Sequence, residues 1–175
     1  VAYNTIGGPT ANSIVCESTV GGSSTMHGII GVPISVSNNV IRNFTNLSQS
    51  TNAFIIGIVS NSGMTISNNT IHDFRTASAT TSQAMIGIIV SLSTARMVSG
   101  NKIYNLMATH ASAANYVSGI QCNPGNGAYT LDGNYIHSLT AVSPAAIVSG
   151  IYLTNTGASI IRVSNNMIRL GIDGA

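Results

Sequence analysis

The sequence repeats with a period of about 31 residues, and this period limits the possible folds more than any other feature. A segment of the form apolar residue, Ser or Asp, Asn or Gly, Asn, any residue, Ile occurs five times. Its fourth-position asparagine falls at residues 39, 69, 101, 134 and 166, in steps of 30, 32, 33 and 32. A second motif, Gly-Ile, keeps a similar spacing and begins at residues 28, 57, 87, 119 and 150. Because two separate motifs share one period, we predict that the chain stacks copies of a single structural unit.

Each repeat has the residue pattern of short β-strands joined at a turn. Apolar residues lie three positions before and two positions after the repeated asparagine, with polar residues between them, as in Val36-Ser-Asn-Asn-Val-Ile41. This alternation is typical of half-buried strands. The Asn-Asn or Gly-Asn pair indicates a turn, because Asn and Gly tolerate left-handed backbone angles. Since no segment shows a sustained helical period, the chain is predicted to be all-β.

Stacking solves the burial problem of such a short repeat. One repeat cannot bury its own apolar face, whereas repeats placed about 4.8 Å apart bury it against one another. Equivalent residues then form columns along the stack. We expect a core column of isoleucines made of Ile41, Ile71, Ile103, Ile136 and Ile168. We also expect a structural asparagine ladder, whose side-chain amides bond from turn to turn, made of Asn39, Asn69, Asn101, Asn134 and Asn166.

The pattern Gly-Ile followed by Ile-Ser-Asn-Asn-x-Ile resembles the repeat of the pectate-lyase-like superfamily, from about Asn4 to Arg169. The resemblance implies a right-handed parallel β-helix of about five coils with about 31 residues each. It implies little about activity, because this fold carries lyases, hydrolases, epimerases, phage tailspikes and non-catalytic surface proteins. The Ser-, Thr- and Asn-rich, charge-poor style is most similar to segments of large secreted bacterial surface proteins, which implies an extracellular or cell-surface location. We expect residues 1–175 to form one β-helix domain, as a segment of a longer solenoid.

Smaller features of the repeat carry their own predictions. The glycine of each Gly-Ile pair is expected to permit a bend or a close backbone approach at a strand start. Surplus residues at 75–83, 108–115 and 140–145 are expected to form polar loops along one edge. Cys122 follows Gly119 by three and is expected in the core, whereas Cys16 is expected in an unmatched loop about three turns away. Such a separation exceeds the reach of a disulfide, so none is predicted.

Composition excludes two classes of partner. Charged residues make up only 6% of the chain, against about 25% in an average soluble domain. Six Lys and Arg residues scattered through the sequence form no basic stripe, so nucleic acid is not an expected partner. The longest apolar runs are about seven residues, too short for a membrane-spanning helix of about 20.

The acidic residues do not predict a catalytic site. They are Glu17, Asp73, Asp132 and Asp173. Glycoside hydrolysis needs two carboxylates about 5–9.5 Å apart, whereas Asp73 and Asp132 belong to different strands two turns apart. The lyases to which the repeat is similar use acidic calcium ligands with a basic residue, and no such acidic cluster surrounds Arg75 or Lys102. We therefore predict no enzyme, no catalytic residue, no metal and no cofactor.

A strip made of two adjacent outward columns beside the ladder is the candidate ligand site. We call it the outer strip: Arg42, His72, Tyr104, Tyr135, His137 and Arg169. One interpretation is a solvated sheet face whose larger side chains stack on each other. The other is a glycan-binding strip with Tyr104 and Tyr135 as stacking platforms and Arg42, His72 and His137 as hydrogen-bond donors. His72 and His137 are about 9.6 Å apart, two strand spacings, which is too far to share a metal ion.

A second strip of hydroxyls lies four and two positions before each ladder asparagine, at Ser35, Ser37, Thr65, Ser67, Ser99, Thr130 and Ser164. Regular hydroxyl ladders resemble ice-binding faces, but Met97, Asp132 and Arg162 interrupt this one.

Two functions from different classes follow. The first is a non-catalytic structural or adhesive segment of a secreted or cell-surface β-helical protein, with self-association end to end. The alternative is a carbohydrate-active β-helix, a polysaccharide-binding protein, lyase or hydrolase that uses the outer strip. The expected partners are therefore a polysaccharide or a second copy of the chain.

Overall fold

The computed structural model describes residues 1–17, 22–31, 35–48, 52–61, 65–76, 82–92, 96–111, 114–125, 127–154 and 158–170. Within these ranges the regular structure consists of seventeen β-strands and no helix, so no described helix could cross a membrane. The strands are β1 (Thr5–Ile6), β2 (Ile14–Cys16), β3 (Ser23–Gly31), β4 (Ser35–Ser37), β5 (Val40–Asn46), β6 (Asn52–Ser60), β7 (Thr65–Ser67), β8 (Thr70–Thr76), β9 (Ser82–Leu92), β10 (Arg96–Ser99), β11 (Lys102–Ala108), β12 (Ala114–Pro124), β13 (Ala128–Asp132), β14 (Tyr135–Ala141), β15 (Ile147–Leu153), β16 (Ile160–Ser164) and β17 (Met167–Arg169).

The strands form three parallel sheets that the chain visits in the same order on every turn. Sheet A is β4-β7-β10-β13-β16, sheet B is β1-β5-β8-β11-β14-β17 with β2 also paired to β5, and sheet C is β3-β6-β9-β12-β15. Each strand pairs with its equivalent one repeat away, which confirms the predicted all-β parallel solenoid. Five stacked strands delimit about four complete turns rather than the five predicted, because the first and last turns are partial.

The predicted turn between sheets A and B is confirmed by its backbone angles. The residue before each ladder asparagine has a positive φ. These residues are Asn38 (55°), Asn68 (54°), Gly100 (63°), Gly133 (62°) and Asn165 (53°). Asn and Gly tolerate the left-handed region, which explains the Asn-Asn and Gly-Asn pairs of these five repeats.

The core is built from apolar columns. Ile41, Ile71, Ile103 and Ile136 are fully buried and pair in register, as predicted. Ile168 is 43% exposed, because in the described residues no further strand covers the outer edge of β17. A second column in sheet B, which the sequence analysis did not predict, contains Phe44, Phe74, Leu106 and Leu139.

The glycines of the Gly-Ile motif lie in the middle of the sheet C strands, which corrects the prediction of a strand start. A Cβ at Gly57 would lie 2.5 Å from the carbonyl oxygen of Gly87 and 2.9 Å from the Cγ2 of Ile71. The predicted close backbone approach is therefore confirmed, since the Gly87 carbonyl, together with the side chain of Ile71, occupies the space that a side chain would need.

The two cysteines occupy different environments. Cys122 is fully buried opposite Val90 and Leu153, as predicted, and burial raises the pKa of its thiol to about 11. Cys16 lies in β2 opposite Asn46 rather than in a loop. Both are free thiols.

The predicted edge loops are shorter than expected. Residues 75–76, 82–83, 108, 114–115 and 140–141 lie within strands, because pairing with the neighbouring turns extends into these segments. Residues 142–146 form a described loop, while residues 77–81 and 112–113 lie outside the described residues.

Candidate functional site

The outer strip lies on the outward face of sheet B. Its main column is in strand register from Arg42 through His72, Tyr104 and His137 to Arg169. Tyr135 belongs to the adjacent column, in register with Lys102. The predicted column therefore exists as a continuous surface along the solenoid axis.

The aromatic rings of this column stack on one another. The ring centroids of His72 and Tyr104 are 4.7 Å apart with planes 5° from parallel, and those of Tyr104 and His137 are 4.9 Å apart with planes 2° from parallel. Both faces of the Tyr104 ring are thus covered by neighbouring rings. A sugar cannot lie flat on Tyr104, so this residue offers its edge and hydroxyl rather than the expected platform.

Tyr135 and Lys102 complete the stack from the adjacent column. The Tyr135 ring lies 4.7 Å from the His137 ring at 33°, and the Nζ of Lys102 lies 4.9 Å from the centroid of the Tyr104 ring. Burial within this cluster raises the pKa of the Tyr104 hydroxyl; the charge of Asp73 acts in the same direction and that of Arg42 in the opposite one.

The carboxylate of Asp73, which lies next to the strip, contacts two neighbouring side chains. Its Oδ2 lies 2.7 Å from the Nδ1 of His72, and its Oδ1 accepts a hydrogen bond from the Nδ2 of Asn105 at 2.9 Å. Two turns from His72, the Nδ1 of His137 lies 3.0 Å from the Oγ of Ser138. Asp73 thus fixes the orientation of His72 and bridges two turns of the solenoid.

A second left-handed column, missed by the sequence analysis, interrupts the strands of sheet B. Its members have φ between 53° and 58° and fall outside the regular pairing: Asn43, Asp73, Asn105 and Ser138. The signal was a small polar residue four positions after each of the first four ladder asparagines, Asn39 to Asn134. The kink re-aims the chain so that Phe44 and its equivalents turn into the core.

A groove accompanies this kink. It has a volume of about 590 Å³, and its lining includes Asn12, Asn43, Asp73, Arg75, Asn105 and Met107. A smaller depression of about 110 Å³ shares Asn105 and Met107 and continues to Ser138 and Thr140. Because successive turns contribute equivalent residues, the two run along the solenoid axis beside the outer strip. We call them together the axial groove.

The solenoid gathers cations that the linear sequence scatters. Four of the six Lys and Arg residues lie on the outward face of sheet B: Arg42, Arg75, Lys102 and Arg169. Of the other two, Arg162 is exposed on sheet A and Arg96 is buried. Asp73 is the acidic residue within the described strands of sheet B.

Arg96 is a buried cation, only 4% exposed, which the sequence analysis also missed. Its Nη1 donates to the Oγ of Ser60 and its Nη2 donates to the carbonyl oxygen of Ser91, each at 2.5 Å. The signal was the alternation of β10, because Arg96 precedes the inward Val98 by two positions. Its Nε is buried without a hydrogen-bond partner in the described part of the chain. Because the whole side chain is buried, Arg96 does not contribute to a surface site.

The acidic residues are separated as the sequence predicts. Asp132 lies on sheet A, two turns from Asp73, and accepts hydrogen bonds from the Oγ of Ser164 at 2.7 Å and the Nδ2 of Asn165 at 2.9 Å. It also interrupts the hydroxyl column that pairs Ser37, Ser67 and Ser99. Glu17 is exposed after β2, and Asp173 lies outside the described residues. Among the residues described, no three His, Cys, Asp or Glu side chains form a group that could hold a metal ion.

In comparisons with known proteins, no family model, curated protein or solved structure matches this chain. The fold assignment therefore rests on the strand register and the ladder geometry of the chain itself.

Proposed function

We propose that this chain is a non-catalytic structural or adhesive segment of a secreted or cell-surface β-helical protein, of the pectate-lyase-like type that its repeat resembles. The observation that carries the proposal is the asparagine ladder. Its members repeat one set of hydrogen bonds from turn to turn, as expected of a rigid rod whose stability is a sum of equal interfaces.

The ladder satisfies buried amides without outside partners. In every described rung from Asn4 to Asn134, the backbone N–H and the side-chain Nδ2 both donate to the Oδ1 of the next asparagine. The Nδ2–Oδ1 distances are 2.8–3.0 Å. An unpaired buried amide would cost about 1–3 kcal/mol, so the stack stabilises each turn by the presence of the next.

The use of the carboxylates also supports a structural role. Asp73 links His72 to Asn105, and Asp132 links Ser164 to Asn165. Both bind between neighbouring turns rather than facing one another across a cleft, as a pair of catalytic carboxylates would.

End-to-end association follows from the polarity of the ladder. Asn166 is the last rung in the described residues, and its N–H and Nδ2 correspond to the groups that donate to a following Oδ1 in every earlier rung. The same edge exposes apolar side chains, among them Val163 (49%) and Ile168 (43%). Asn4 carries the first Oδ1 of the ladder at the opposite edge, so a second copy placed head to tail would continue both the ladder and the core.

The test is the oligomeric state of the purified chain as a function of concentration, measured by sedimentation velocity. We expect a mass that rises with concentration and a double variant, Val163→Lys with Ile168→Lys, that stays monomeric. The matched control is Met97→Lys, which changes a 48% exposed residue on an inner turn of sheet A and should leave association intact. Circular dichroism verifies that each variant is folded, and a folded wild-type chain that is monomeric at millimolar concentration would refute the association.

A second candidate function is carbohydrate binding or cleavage along the outer strip. The observation that favours it is the axial groove, which places the exposed amides of Asn12 and Asn105 and the exposed guanidinium of Arg75 beside the strip. A polysaccharide panel scored for both retention and cleavage tests it. New reducing ends or unsaturated products would overturn the non-catalytic proposal, while retention without cleavage would favour an adhesin.

A further inference from the structure

We propose that end-to-end filaments of this chain pair side by side through the outward face of sheet C, with the same face of a second filament as the partner. The inference rests on the proposed function, because it takes the end-to-end association of copies as its starting point. It adds a second contact, on a face that neither the ladder nor the outer strip uses.

Apolar side chains cover much of the outward face of sheet C. In β6 the fully buried Ile55 and Ile58 face the core, while Ile56 and Val59 beside them are half-buried on the outside. Strand register continues this outer surface into β3 and β9. We call it the apolar face: Ile30, Phe54, Ile56, Val59, Ile86 and Ile89.

The strands of sheet C have the residue pattern of strands that are covered on both sides. β6 and β9 contain near-continuous apolar runs, at residues 53–59 and 84–90. Parallel strands that are buried on both faces read as such runs, whereas half-buried strands alternate with polar residues. β4 and β7 of sheet A do alternate, as Ser-Val-Ser and Thr-Ile-Ser. The apolar face therefore has the composition of an interface rather than of a solvated surface.

The distribution of charge favours a second copy as the partner. None of the five sheet C strands contains Asp, Glu, Lys or Arg. His27 lies in register with Ile56, and burial lowers the pKa of its imidazole, which favours the neutral form at pH 7. An uncharged surface attracts no charged partner, and two copies of it meet without like-charge repulsion.

The polar groups of β12 and β15 on this face find partners within the fold. Tyr116 and Tyr152 are in edge contact, with ring centroids 5.2 Å apart, and tyrosine is enriched at protein interfaces. The Oγ of Ser149 donates to the Oγ of Ser118 at 3.2 Å, and the Nε2 of Gln121 donates to the neighbouring Asn123 at 3.2 Å. These hydrogen bonds remain in place when a second face packs over them.

The size of the apolar face explains why filaments should pair while single chains do not. Five strands about 4.8 Å apart and a width of about 17 Å, from Phe54 to Val59, give a footprint of about 400 Å² per chain. A stable interface buries about 800 Å² on each partner, so one chain alone falls short. In a head-to-tail stack, β15 of one copy lies next to β3 of the following copy, and the faces join into one stripe. Each added copy then contributes a further contact to the same pair of filaments.

The test is the mass per unit length of the filaments, measured by scanning transmission electron microscopy of unstained samples. For the wild type we expect twice the value of one chain per about 24 Å of filament. The double variant Ile56→Lys with Ile89→Lys should form single filaments with half the wild-type mass per length, because pairing would bury its charges. Ile56→Ser with Ile89→Ser should do the same without added charge, and circular dichroism verifies that each variant is folded.

The matched control is Thr65→Lys with Ser99→Lys. It adds the same charge on the same two turns, but on the outward face of sheet A, so paired filaments should persist. The end variant Val163→Lys with Ile168→Lys should form no filaments and therefore no pairs.

The outcomes separate the inference from the function on which it rests. Single wild-type filaments would overturn the inference and leave end-to-end association standing, whereas a wild-type chain without filaments would overturn both. Paired filaments in Ile56→Lys with Ile89→Lys, or loss of pairing in the sheet A control, would also overturn the inference. Single wild-type filaments that adsorb to phosphatidylcholine vesicles, with adsorption lost in Ile56→Lys with Ile89→Lys, would assign the apolar face to a lipid surface instead.

Discussion

The backbone N–H and the side-chain Nδ2 of Asn69 both donate to the Oδ1 of Asn101, at 3.0 Å each. One acceptor atom therefore satisfies two buried donors from the neighbouring turn. The Nδ2 of Asn101 in turn donates to the carbonyl oxygens of Ile66 and Ser99 and to Asn134. A single asparagine thus connects three turns at the corner between sheets A and B.

Removal of the Asn101 side chain should destabilise the folded chain. We expect Asn101→Ala to lower the free energy of unfolding by about 2–4 kcal/mol, because the buried N–H of Asn69 loses its acceptor and the hydrogen bonds that Asn101 makes to the Nδ2 of Asn69 and to the carbonyl oxygen of Ile66 are also lost. Urea denaturation followed by circular dichroism measures the loss. Asn61→Ala, at an exposed residue just after β6, is the control and should change stability by less than about 0.5 kcal/mol. Equal stability of the two variants would contradict the claim that the hydrogen bonds of the ladder stabilise the fold.

The glycines of the Gly-Ile motif should not tolerate even a methyl side chain. At Gly87 an added Cβ would lie 2.6 Å from the carbonyl oxygen of Gly119 and 2.7 Å from the Cγ2 of Ile103. We expect Gly87→Ala to destabilise the fold by about 2 kcal/mol or more, since a backbone atom must move. In Gly8→Ala the new Cβ meets only the Ser13 side chain, at 3.2 Å for the nearest atom, so this control should cost less.

A compensating variant sharpens that test. Ile103→Val shortens the side chain but keeps the Cγ2 and leaves the Gly119 carbonyl in place. The double variant Gly87→Ala with Ile103→Val should therefore remain as unstable as Gly87→Ala alone in thermal unfolding. Restoration of wild-type stability would mean that side-chain packing, rather than the backbone approach, excludes a Cβ.

How far the sequence predicts this structure depends on whether a feature repeats by residue identity. Asn and Ile recur unchanged in the ladder and the core column, so both were predicted. The kink column uses Asn43, Asp73 and Ser138 at equivalent positions, and this variety hides a shared tolerance of left-handed angles. Its consequence, the axial groove, was hidden with it.

The candidate site was predicted in position but not in geometry. Register alone places Arg42, His72 and Tyr104 in one column. Whether Tyr104 presents a face or an edge depends on side-chain rotamers, which a repeat pattern does not specify. Arg75 lies on this surface only because strand β8 continues past the kink at Asp73.

The ring stack should contribute to stability without needing the hydroxyl. Tyr104→Ala removes the contacts with His72 and His137, and two aromatic pairs contribute about 1–3 kcal/mol. Tyr104→Phe keeps both contacts and should unfold near the wild-type urea midpoint. A loss of similar size in both variants would assign the stabilisation to the hydroxyl instead.

Stability should fall in alkali because two buried acids hold their protons in the folded state. Burial raises the pKa of Cys122 from 9.0 to about 11 and that of Tyr116 from 10.0 to about 12. As the pH rises above about 9, the unfolded chain releases these protons while the folded chain retains them, so the free energy of unfolding declines until the pH exceeds the folded pKa values. Urea unfolding at pH 7, 9, 10 and 11 should show this decline.

The slope of the free energy of unfolding against pH should be shallower in Tyr116→Phe and in Cys122→Ala. Tyr3→Phe, which changes an exposed tyrosine, should keep the wild-type slope. A slope unchanged in both buried-site variants would place the alkaline sensitivity elsewhere in the chain.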